Sequence, residues 1–395
     1  MDFDADLAVL AAMRESHPSN LCARSFDVKY FETLSPEDKR RLLKICKPSI
    51  YNPDSLVGCF VNNPDDYDRF KPFFSRVLSA CHKVPLDAVH AVHASDWELP
   101  EGATYDVSAL DLGPLSMRTR VGRNLAGFPL PGSMTQAQRC ELEEKMCEAF
   151  DVLMGMAAYG GCYCSITPGH RHYIENEKYE ELVEAHVMFK DMSTKSHLTA
   201  TGIAAHWPYG RGCYISADRN FIVWVGEEDH LRLMCMERSS KIEAVFNRLR
   251  LALEVVGGLP GLSFASSPSY GNLTSCPSNL GTAMRSSVHV QLPRLTADGS
   301  DARVKAICAP LGLSVRGLGG EYTAIGADGT VDISPSARFC IKERDIIAKL
   351  YQGLTQLVAA EREAEREAER EAASEAASEA ASEASERGEA SGRNG

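Results

Sequence analysis

Apolar residues recur every three to four positions in two segments of the first hundred residues, and this spacing predicts helices. The first segment begins after Ser35, where Pro36 and two acidic residues form a typical helix start. Leu42 and Cys46 then lie on its apolar face. The second helix is predicted over 66–78. The N-terminal part of the chain is therefore predicted to be helical.

From about residue 113 to residue 358, predicted helices alternate with short strands. Two capping boxes, Thr135 with Gln138 and Ser240 with Glu243, predict helix starts. Strands are predicted for three apolar runs, at 221–226, 231–236 and 287–292. Several strands follow one another too closely for helical crossovers, which favours a largely antiparallel sheet.

These elements predict an α+β fold with a small all-α N-terminal domain at 1–97, a linker at 98–112 and a larger domain at 113–358. The larger domain is expected to hold a mainly antiparallel β-sheet flanked by helices. Residues 359–395 form a low-complexity tail of Glu, Ala, Ser and Arg. Because this tail has no apolar stripe, we expect a solvated helix that frays into disorder. A partner-binding tail is the alternative, but the sequence indicates no partner.

Charge and composition restrict the function. The 395 residues include 42 basic and 54 acidic ones, a net charge of −12, and the tail supplies half of that excess. This balance offers no basic stripe for nucleic acid or an anionic membrane. No apolar run approaches the roughly 18 residues that span a bilayer. The acidic start and 13 cysteines without a C-x-x-C pair predict free thiols and a cytoplasmic location.

Arginines lie on the predicted strands in positions that share one face, because side chains alternate along a strand. Planar guanidinium groups bind phosphate oxygens through two parallel hydrogen bonds. Neither of the usual glycine-rich phosphate loops, G-x-x-x-x-G-K-[ST] and G-x-G-x-x-G, occurs in the chain. Taken alone, this polar face indicates only a general anion site. Its members are Ser116, Arg118, Arg120, His230, Arg232, Arg285, Ser287, His289 and Gln291.

Five short strings, in this order, resemble the signatures of phosphagen (ATP:guanidino) kinases. They are Arg-x-Arg-x-Gly-Arg at 118–123, Trp-Pro-Tyr-Gly-Arg-Gly at 207–212, Val-Trp-Val-Gly-Glu-Glu-Asp-His-Leu-Arg at 223–232, Cys-Pro-Ser-Asn-Leu-Gly-Thr-Ala-Met-Arg at 276–285 and Val-Arg-Gly-x-Gly-Gly-Glu at 315–321. The similarity covers roughly 21–357. Two parts of these strings are highly specific, Glu-Glu-Asp-His-Leu-Arg at 227–232 and Cys-Pro-Ser-Asn-Leu-Gly-Thr at 276–282.

The resemblance implies reversible transfer of the γ-phosphoryl group of MgATP to a guanidinium nitrogen, a reaction that buffers cellular energy. Mg²⁺ would arrive with ATP or ADP and contact Glu227 and Asp229 through water. Such a transfer depends on positioning and charge neutralisation. The family's five phosphate-binding arginines match Arg118, Arg120, Arg232, Arg285 and Arg316. The remaining ATP-binding positions implied by the resemblance are Ser116, His186 (on a predicted helix), His289, Gly317, Gly319 and Gly320.

The guanidinium end of the reaction is implied by three further matches. Glu228 and Glu321 match the carboxylates that orient the guanidinium and accept its proton. Cys276 matches the family's reactive thiol, and we expect neighbouring arginines to favour its thiolate. The glycines of the loop at 317–320 suggest that this loop closes over the substrate and excludes water.

The acceptor is predicted from the loop at 52–60, which resembles the guanidino-specificity loop in its arginine-kinase-like form. Leu56 stands where arginine kinases carry Gly, and Phe60 where they carry Tyr, which leaves room for taurocyamine or a related guanidine. Creatine kinases carry Val at the position of Glu321, so creatine is disfavoured. L-Arginine is the predicted acceptor. The substrate-binding positions of the loop are Ser55, Leu56, Val57, Gly58 and Phe60.

Two other interpretations differ in substrate class. A protein-arginine kinase would share the catalytic domain but lack the helical N-terminal domain and its loop. A catalytically inactive scaffold would lack some catalytic residues, whereas every matched position here carries the expected chemistry. The predicted partners are therefore ATP or ADP and a small guanidino compound. The sequence leaves open whether the protein is a monomer or a dimer.

Overall fold

The structure, a computed structural model, describes residues 3–88, 92–317 and 324–392, with side chains as far as residue 380. In these ranges the helices are α1 (Asp4–Ser16), α2 (Leu21–Ser25), α3 (Val28–Thr33), α4 (Pro36–Tyr51), α5 (Asp66–Arg69), α6 (Lys71–His82), α7 (Gln136–Gly155), α8 (Asn176–Glu184), α9 (Ser196–Thr201), α10 (Ile242–Gly258), α11 (Ala302–Cys308) and α12 (Glu343–Gly392). The strands are β1 (Leu115–Arg123), β2 (Cys162–Ser165), β3 (Gly212–Ile215), β4 (Phe221–Val225), β5 (Leu231–Ser239), β6 (Ser266–Ser267), β7 (Gly271–Asn272), β8 (Met284–Gln291), β9 (Leu313–Arg316) and β10 (Thr330–Pro335). Short 3₁₀ turns lie at Val107–Leu110, Pro131–Ser133 and Pro277–Asn279.

The N-terminal part is helical, as predicted. Helix α4 begins where the pattern placed it, because the Ser35 hydroxyl accepts the Asp38 amide at 3.1 Å and Pro36 occupies the first helical position. Leu42 and Cys46 are buried on its inner face. Around them packs an aromatic cluster, which comprises Phe26, Phe31, Tyr67, Phe70, Phe73 and Phe74.

The larger part is built on an eight-stranded sheet in the order β2-β3-β4-β5-β1-β8-β10-β9, and every pair of neighbours runs antiparallel. The three predicted strands correspond to β4, β5 and β8. A separate hairpin is formed by β6 and β7. Helices α7, α10 and α12 pack apolar side chains against the sheet in one hydrophobic core. The predicted α+β class and the mainly antiparallel sheet are confirmed.

One predicted capping box forms and the other is wrong. Thr135 Oγ1 accepts the Gln138 amide at 3.3 Å, and Gln138 Oε1 accepts the Thr135 amide at 2.9 Å, which begins α7. Helix α10 instead starts at Ile242 without a side-chain cap. The Glu243 carboxylate that should close the box accepts the Tyr105 amide at 3.1 Å. A contact with a distant segment has therefore replaced the local one.

The predicted domain boundaries remain predictions. The segment at 98–112 packs on the core of the larger part through Tyr105 and the buried Val107. The N-terminal helices contact the larger part directly, because the Tyr67 hydroxyl donates to the Thr274 carbonyl at 2.9 Å. This contact brings the helical part against the segment that precedes Cys276.

The tail continues α12 as a helix, but the expectation that it is solvated throughout is wrong for its beginning. Glu361 accepts the backbone amides of Arg294 and Leu295 at 2.6 and 2.9 Å. Ala364 is only 8% exposed and belongs to the core of the larger part. The first turns of the tail are therefore part of the fold. Among the described helices, none combines the length and apolar character needed to cross a membrane.

Candidate active site

The predicted arginine face exists at the centre of the sheet. Arg120 on β1 lies directly opposite Arg285 on β8. On the other side of β1, Gly122 lies opposite Arg232 on β5. Because side chains alternate along a strand, Arg118 and Arg120 project to the same face. Three adjacent strands thus converge four guanidinium groups on one surface.

A cavity of about 350 Å³ opens over this surface, and a smaller recess of about 30 Å³ lies beside it. Arg120 and Arg285 line both, so the two spaces are adjacent. We call the polar residues that line them the arginine cage. They are Ser116, Arg118, Arg120, Asp229, Arg232, Asn279, Arg285, Ser287, His289, Arg316, Asp332 and Arg338.

The electrostatics of the arginine cage favour a polyanionic ligand. Burial, and then the charges of Arg118 and Arg232, hold the pKa of Arg120 well below its usual range. Within the described part of the chain, the Arg120 guanidinium has no hydrogen-bond acceptor, and Arg118 Nε is buried without a partner. Burial lowers the pKa of Arg285 to about 10. Guanidinium groups that are held together and keep unbonded N–H donors provide binding sites for phosphate oxygens.

Asp332 is a member of the cage that sequence reasoning missed. It lies on β10, opposite both Arg316 and His289. Its Oδ2 accepts a hydrogen bond from Arg285 Nη2 at 2.8 Å, and its Oδ1 is buried without a hydrogen-bond partner among the described residues, 3.9 Å from His289 Nε2. An acidic residue between two apolar residues of the strand, Val331 and Ile333, was the available signal. Asp332 offsets part of the positive charge and fixes the Arg285 side chain.

Arg338 is the second missed residue. It lines the recess beside Arg120 and Arg232, and its charge contributes to the lowered pKa of Arg120. Its Nη1 lies 3.4 Å from the Ser278 carbonyl oxygen. No periodicity marks this position, because it follows the end of β10 in an irregular segment. The place of Arg338 in the cage is evident only in the folded structure, where the segment after β10 returns to the recess.

The acidic turn between β4 and β5 adjoins the cage. Glu227 Oε2 pairs with Arg232 Nη2 at 2.8 Å and also accepts the Glu228 amide at 2.8 Å. Asn279 Nδ2 donates to Glu228 Oε1 at 3.2 Å. Burial, and then the charge of Glu227, raise the pKa of Glu228 to about 8. A carboxyl group that titrates near neutral pH is suited to general acid–base chemistry.

Asp229 is buried and ties two segments to the turn. Its Oδ1 accepts hydrogen bonds from Asn124 Nδ2 and the Ser275 amide, both at 2.7 Å. Its Oδ2 faces β1 so closely that a Cβ at Gly122 would lie 2.9 Å away. Glycine at this position therefore leaves room for the carboxylate next to the cage.

His230 does not share the polar face of Arg232, so that prediction is wrong. Its imidazole is buried, with Nδ1 accepting the Leu125 amide at 2.9 Å and Nε2 lying 2.9 Å from the Pro129 carbonyl oxygen, to which it donates. Burial lowers the pKa of His230 to about 3. The strand begins one residue later, so strand alternation does not apply to His230.

Cys276 lies beside Glu228, but the predicted stabilisation of its thiolate is wrong. Burial, and then the neighbouring charge of Glu228, raise the pKa of the Cys276 thiol well above its usual range. Its Sγ lies 3.1 Å from Ser278 Oγ. Burial first, and then the charge of Glu228, thus favour the protonated thiol over the thiolate.

The loop at 52–60 presents backbone donors. The carbonyls of Leu56, Val57 and Gly58 accept amides of the helical part, at 2.8 to 3.0 Å. The amides of Leu56 and Val57 have no acceptor among the described residues. The positive φ of Gly58, +70°, permits this turn, and a Cβ there would lie 2.2 Å from Ser49 Oγ. The Ser55 hydroxyl accepts the Gly58 amide at 3.1 Å.

The same loop is anchored to the segment that carries Cys276. The Val61 amide donates to the Ser275 carbonyl at 2.7 Å. Phe60 packs against an apolar cluster of the larger part. The Leu56 side chain is 59% exposed. The structure therefore brings the predicted specificity loop next to the thiol and the acidic turn.

Some predicted residues lie elsewhere or outside the described ranges. His186 is exposed in the turn after α8, with φ +57°, so its predicted place on a helix is wrong. The next residue, Val187, accepts a hydrogen bond from Trp224 Nε1 at 2.6 Å, and Arg232 lies 5.5 Å from that indole ring. Gly317 is buried at the end of β9. The predictions for Gly319, Gly320 and Glu321 fall outside the described residues.

One group of potential metal ligands is found in the described ranges, and it lies outside the cage. Glu144 Oε1 and Cys147 Sγ lie 3.1 and 3.7 Å from His170 Nε2. His170 Nδ1 accepts the His172 amide at 3.1 Å, which places the proton on Nε2. The Nε2–H group of His170 points to the Glu144 carboxylate and the Cys147 sulfur, so hydrogen bonding explains why these three side chains lie together.

Comparisons with known proteins agree with this geometry. A family model described as the C-terminal catalytic domain of ATP:guanido phosphotransferases matches residues 141–364, more than half of the chain. The arginine kinase of Artemia franciscana is 32% identical over 340 residues, which cover 84% of this chain and 89% of that protein. The glycocyamine kinase of Hediste diversicolor is 32% identical over 342 residues, covering 85% and 83%. The arginine kinase of Anthopleura japonica is 32% identical over 363 residues, covering 88% of this chain.

Two solved structures share the fold. The duplicated taurocyamine kinase from Schistosoma mansoni, with bound transition-state analogue components, aligns with a TM-score of 0.75 and 29% identity over 89% of this chain. Lombricine kinase aligns with a TM-score of 0.73 and 27% identity over 89% of this chain and 94% of its own. The chain spans about half the length of the Anthopleura enzyme, 47%, and of the Schistosoma enzyme, 48%.

Proposed function

The chain belongs to the ATP:guanido phosphotransferase family, the phosphagen kinases, and on this premise we propose that it is itself such a kinase. It transfers the γ-phosphoryl group of MgATP reversibly to a guanidinium nitrogen, and L-arginine is the proposed acceptor. The observation that carries the proposal is the arrangement of Arg120 opposite Arg285, with no acceptor for Arg120 among the described residues and with Glu228 bonded to Asn279, which lines the same recess.

The nucleotide binds in the arginine cage. Guanidinium groups with fixed positions offset the charge that spreads over the transferred phosphoryl oxygens in the transition state. Arg232 is kept in place by Glu227, and Arg285 by Asp332. Because these side chains are already oriented, little reorganisation is needed when the triphosphate arrives. His289 and Ser116, at the outer edge of the cavity, are proposed to face the adenosine.

Magnesium enters as part of the substrate MgATP. Glu227 and Asp229 are proposed to hold waters of the ion rather than the ion itself, because Mg²⁺ retains several waters beside substrate phosphates. The contacts of these residues fit this role. Glu227 is paired with Arg232, and Asp229 Oδ1 is engaged by Asn124, which leaves Oδ2 at the edge of the recess.

Glu228 is proposed to orient the acceptor and to take its proton. A guanidinium is protonated at neutral pH, so the nitrogen becomes a nucleophile only as a base removes that proton. Asn279 holds one carboxylate oxygen of Glu228, and its raised pKa matches a proton that must be both accepted and returned in a reversible reaction. Glu321 is the proposed second carboxylate. The protonated thiol of Cys276 supplies a polar neighbour rather than a charge.

The anionic tail of the acceptor is proposed to bind the backbone amides of Leu56 and Val57. Two adjacent N–H groups that have no acceptor among the described residues can bind a carboxylate, as in arginine, or a sulfonate, as in taurocyamine. Taurocyamine is therefore the second candidate. Two observations support this candidate. Leu56 and Phe60 stand where arginine kinases carry Gly and Tyr, and the fold is similar to that of a taurocyamine kinase.

The experiment is a set of initial rates of ADP formation with arginine, taurocyamine, glycocyamine and creatine, each at saturating MgATP. Arginine is expected to give the highest ratio of kcat to KM. A preference for taurocyamine would select the second candidate, and a preference for creatine would contradict the role proposed for Glu321. Turnover with an arginyl protein alone, or the absence of turnover with every acceptor tested, would refute the proposed activity.

A further inference from the structure

A separate cavity of about 470 Å³ shares no lining residue with the arginine cage. Its walls include the segment at 93–97, the hairpin of β6 and β7 and the beginning of α12, which are distant in sequence, together with Arg123 of β1 and Leu253 of α10. We call it the Arg123 cavity, after the cation that lines it. The proposed phosphoryl transfer leaves this space unused.

Arg123, at the end of β1, is only 3% exposed. Its Nη1 donates to the carbonyls of Gly122 and Thr282, at 2.8 and 3.1 Å. Within the described residues, its Nε and Nη2 have no acceptor. Burial lowers the pKa of Arg123 to about 10. This guanidinium therefore presents an unbonded edge to the cavity, and such an edge can bind the carboxylate of an anionic ligand.

A buried anion lines the same cavity. Glu343 is 1% exposed, and its two oxygens accept hydrogen bonds from Ser95 Oγ at 2.9 Å and the Asp96 amide at 2.8 Å. It influences Arg123 through its charge, but in the described structure the two side chains form no direct ion pair. The cavity therefore offers one positive and one negative group that do not neutralise each other by contact.

Apolar surfaces complete the cavity. The Phe264 ring lies 5.8 Å from the Arg123 guanidinium carbon, and Leu253 and Trp97 also line the space. A simple anion would be opposed by Glu343, and a simple cation by Arg123. An uncharged apolar molecule would leave the guanidinium edge unbonded. A zwitterion with an apolar group satisfies all three features.

We propose that the Arg123 cavity binds a free α-amino acid with an apolar side chain. Its carboxylate bonds to the open edge of Arg123, its ammonium group lies toward Glu343, and its side chain packs on Phe264. This site is distinct from the place where the acceptor reacts, and its occupancy does not depend on phosphoryl transfer.

The test uses L-phenylalanine as the probe, with binding measured by titration calorimetry and by the shift in Tm. MgADP is kept in excess, so that the proposed nucleotide site is occupied. We expect saturable binding of one equivalent at millimolar concentration. Phenylacetate, which lacks the ammonium group, and phenethylamine, which lacks the carboxylate, should each bind at least about tenfold more weakly, as expected for the loss of one charge-assisted hydrogen bond.

Two variants localise the binding. Arg123→Gln should abolish it, but this variant also loses buried hydrogen bonds. Ser266→Trp fills the cavity from an exposed lining position and leaves Arg123 intact. The matched control is Ser263→Trp, an exposed serine nearby that does not line the cavity. Binding lost in Ser266→Trp and retained in Ser263→Trp would support the proposal. Absence of binding to the unmodified protein, or equal binding by both tryptophan variants, would overturn it.

Discussion

The base proposed at Glu228 gives the sharpest prediction. Replacement by Gln removes the negative charge and the proton acceptor, and it keeps the side-chain size and an oxygen for Asn279. General acid–base catalysis contributes about 10²- to 10⁴-fold to a rate, so kcat should fall by about that factor. The KM for the nucleotide should change little, because the phosphates are bound by the arginine cage.

The pH dependence follows from the environment of Glu228. Its pKa rises from an ordinary 4.5 to about 8, which corresponds to about 5 kcal/mol favouring the protonated form. Only the ionised carboxylate can accept the proton, so kcat for phosphagen formation should rise with pH and level off above about 8. Stability should change in the opposite direction. Because the folded protein holds this proton more tightly than the unfolded chain, unfolding free energy should decrease between about pH 4.5 and 8, and Glu228→Gln should lack this component.

The assay couples ADP release to NADH oxidation across the pH range, with the coupling enzymes in excess at each pH. Glu227→Gln serves as the control, because the charge of Glu227 is the second cause of the raised pKa. It should move the ascending limb of the profile to lower pH without removing it. If Glu228→Gln keeps near-normal turnover and the same limb, the assignment of the base is refuted.

Three further predictions concern the cage, the thiol and the tail. Arg120→Ala should lower kcat about 10²- to 10³-fold, the usual cost of losing a preorganised donor, and steady-state rates measure it. Above about pH 8, where the Glu228 carboxyl is ionised, Cys276 should react slowly with iodoacetamide, and faster in Glu228→Gln, because the adjacent charge that raises the thiol pKa is removed; equal rates would contradict this. A truncation that removes Glu361 and everything after it should lower Tm, because the amides of Arg294 and Leu295 lose their acceptor and the buried Ala364 is lost. A truncation that begins at residue 372 keeps these contacts and should leave Tm unchanged.

Local patterns were reliable where the interacting groups are close in sequence. The cap of α4 at Ser35, the capping box at Thr135 and the apolar face of α10 need only residues within a few turns of one another, so the sequence predicts them. The box at Ser240 failed because Glu243 found a partner in a segment that the periodicity of the helix does not include.

The arginine positions were also predictable, because strand alternation fixes which side chains share a face. The register that sets Arg120 against Arg285 was not, because it depends on which strands pair. Asp332 and Arg338 escaped notice for the same reason. Their role arises only when β10 returns beside β8 and the following segment reaches the recess.

The sequence by itself determined the family, the helical and antiparallel parts of the fold, and the residue types that the proposed chemistry needs. Only the tertiary structure decided the protonation of Cys276 and Glu228, the burial of His230 and the existence of the Arg123 cavity. Periodicity and caps act between neighbours along the chain. A pKa or a cavity depends on distances to groups that are remote in sequence, and these distances are fixed only when the chain has folded.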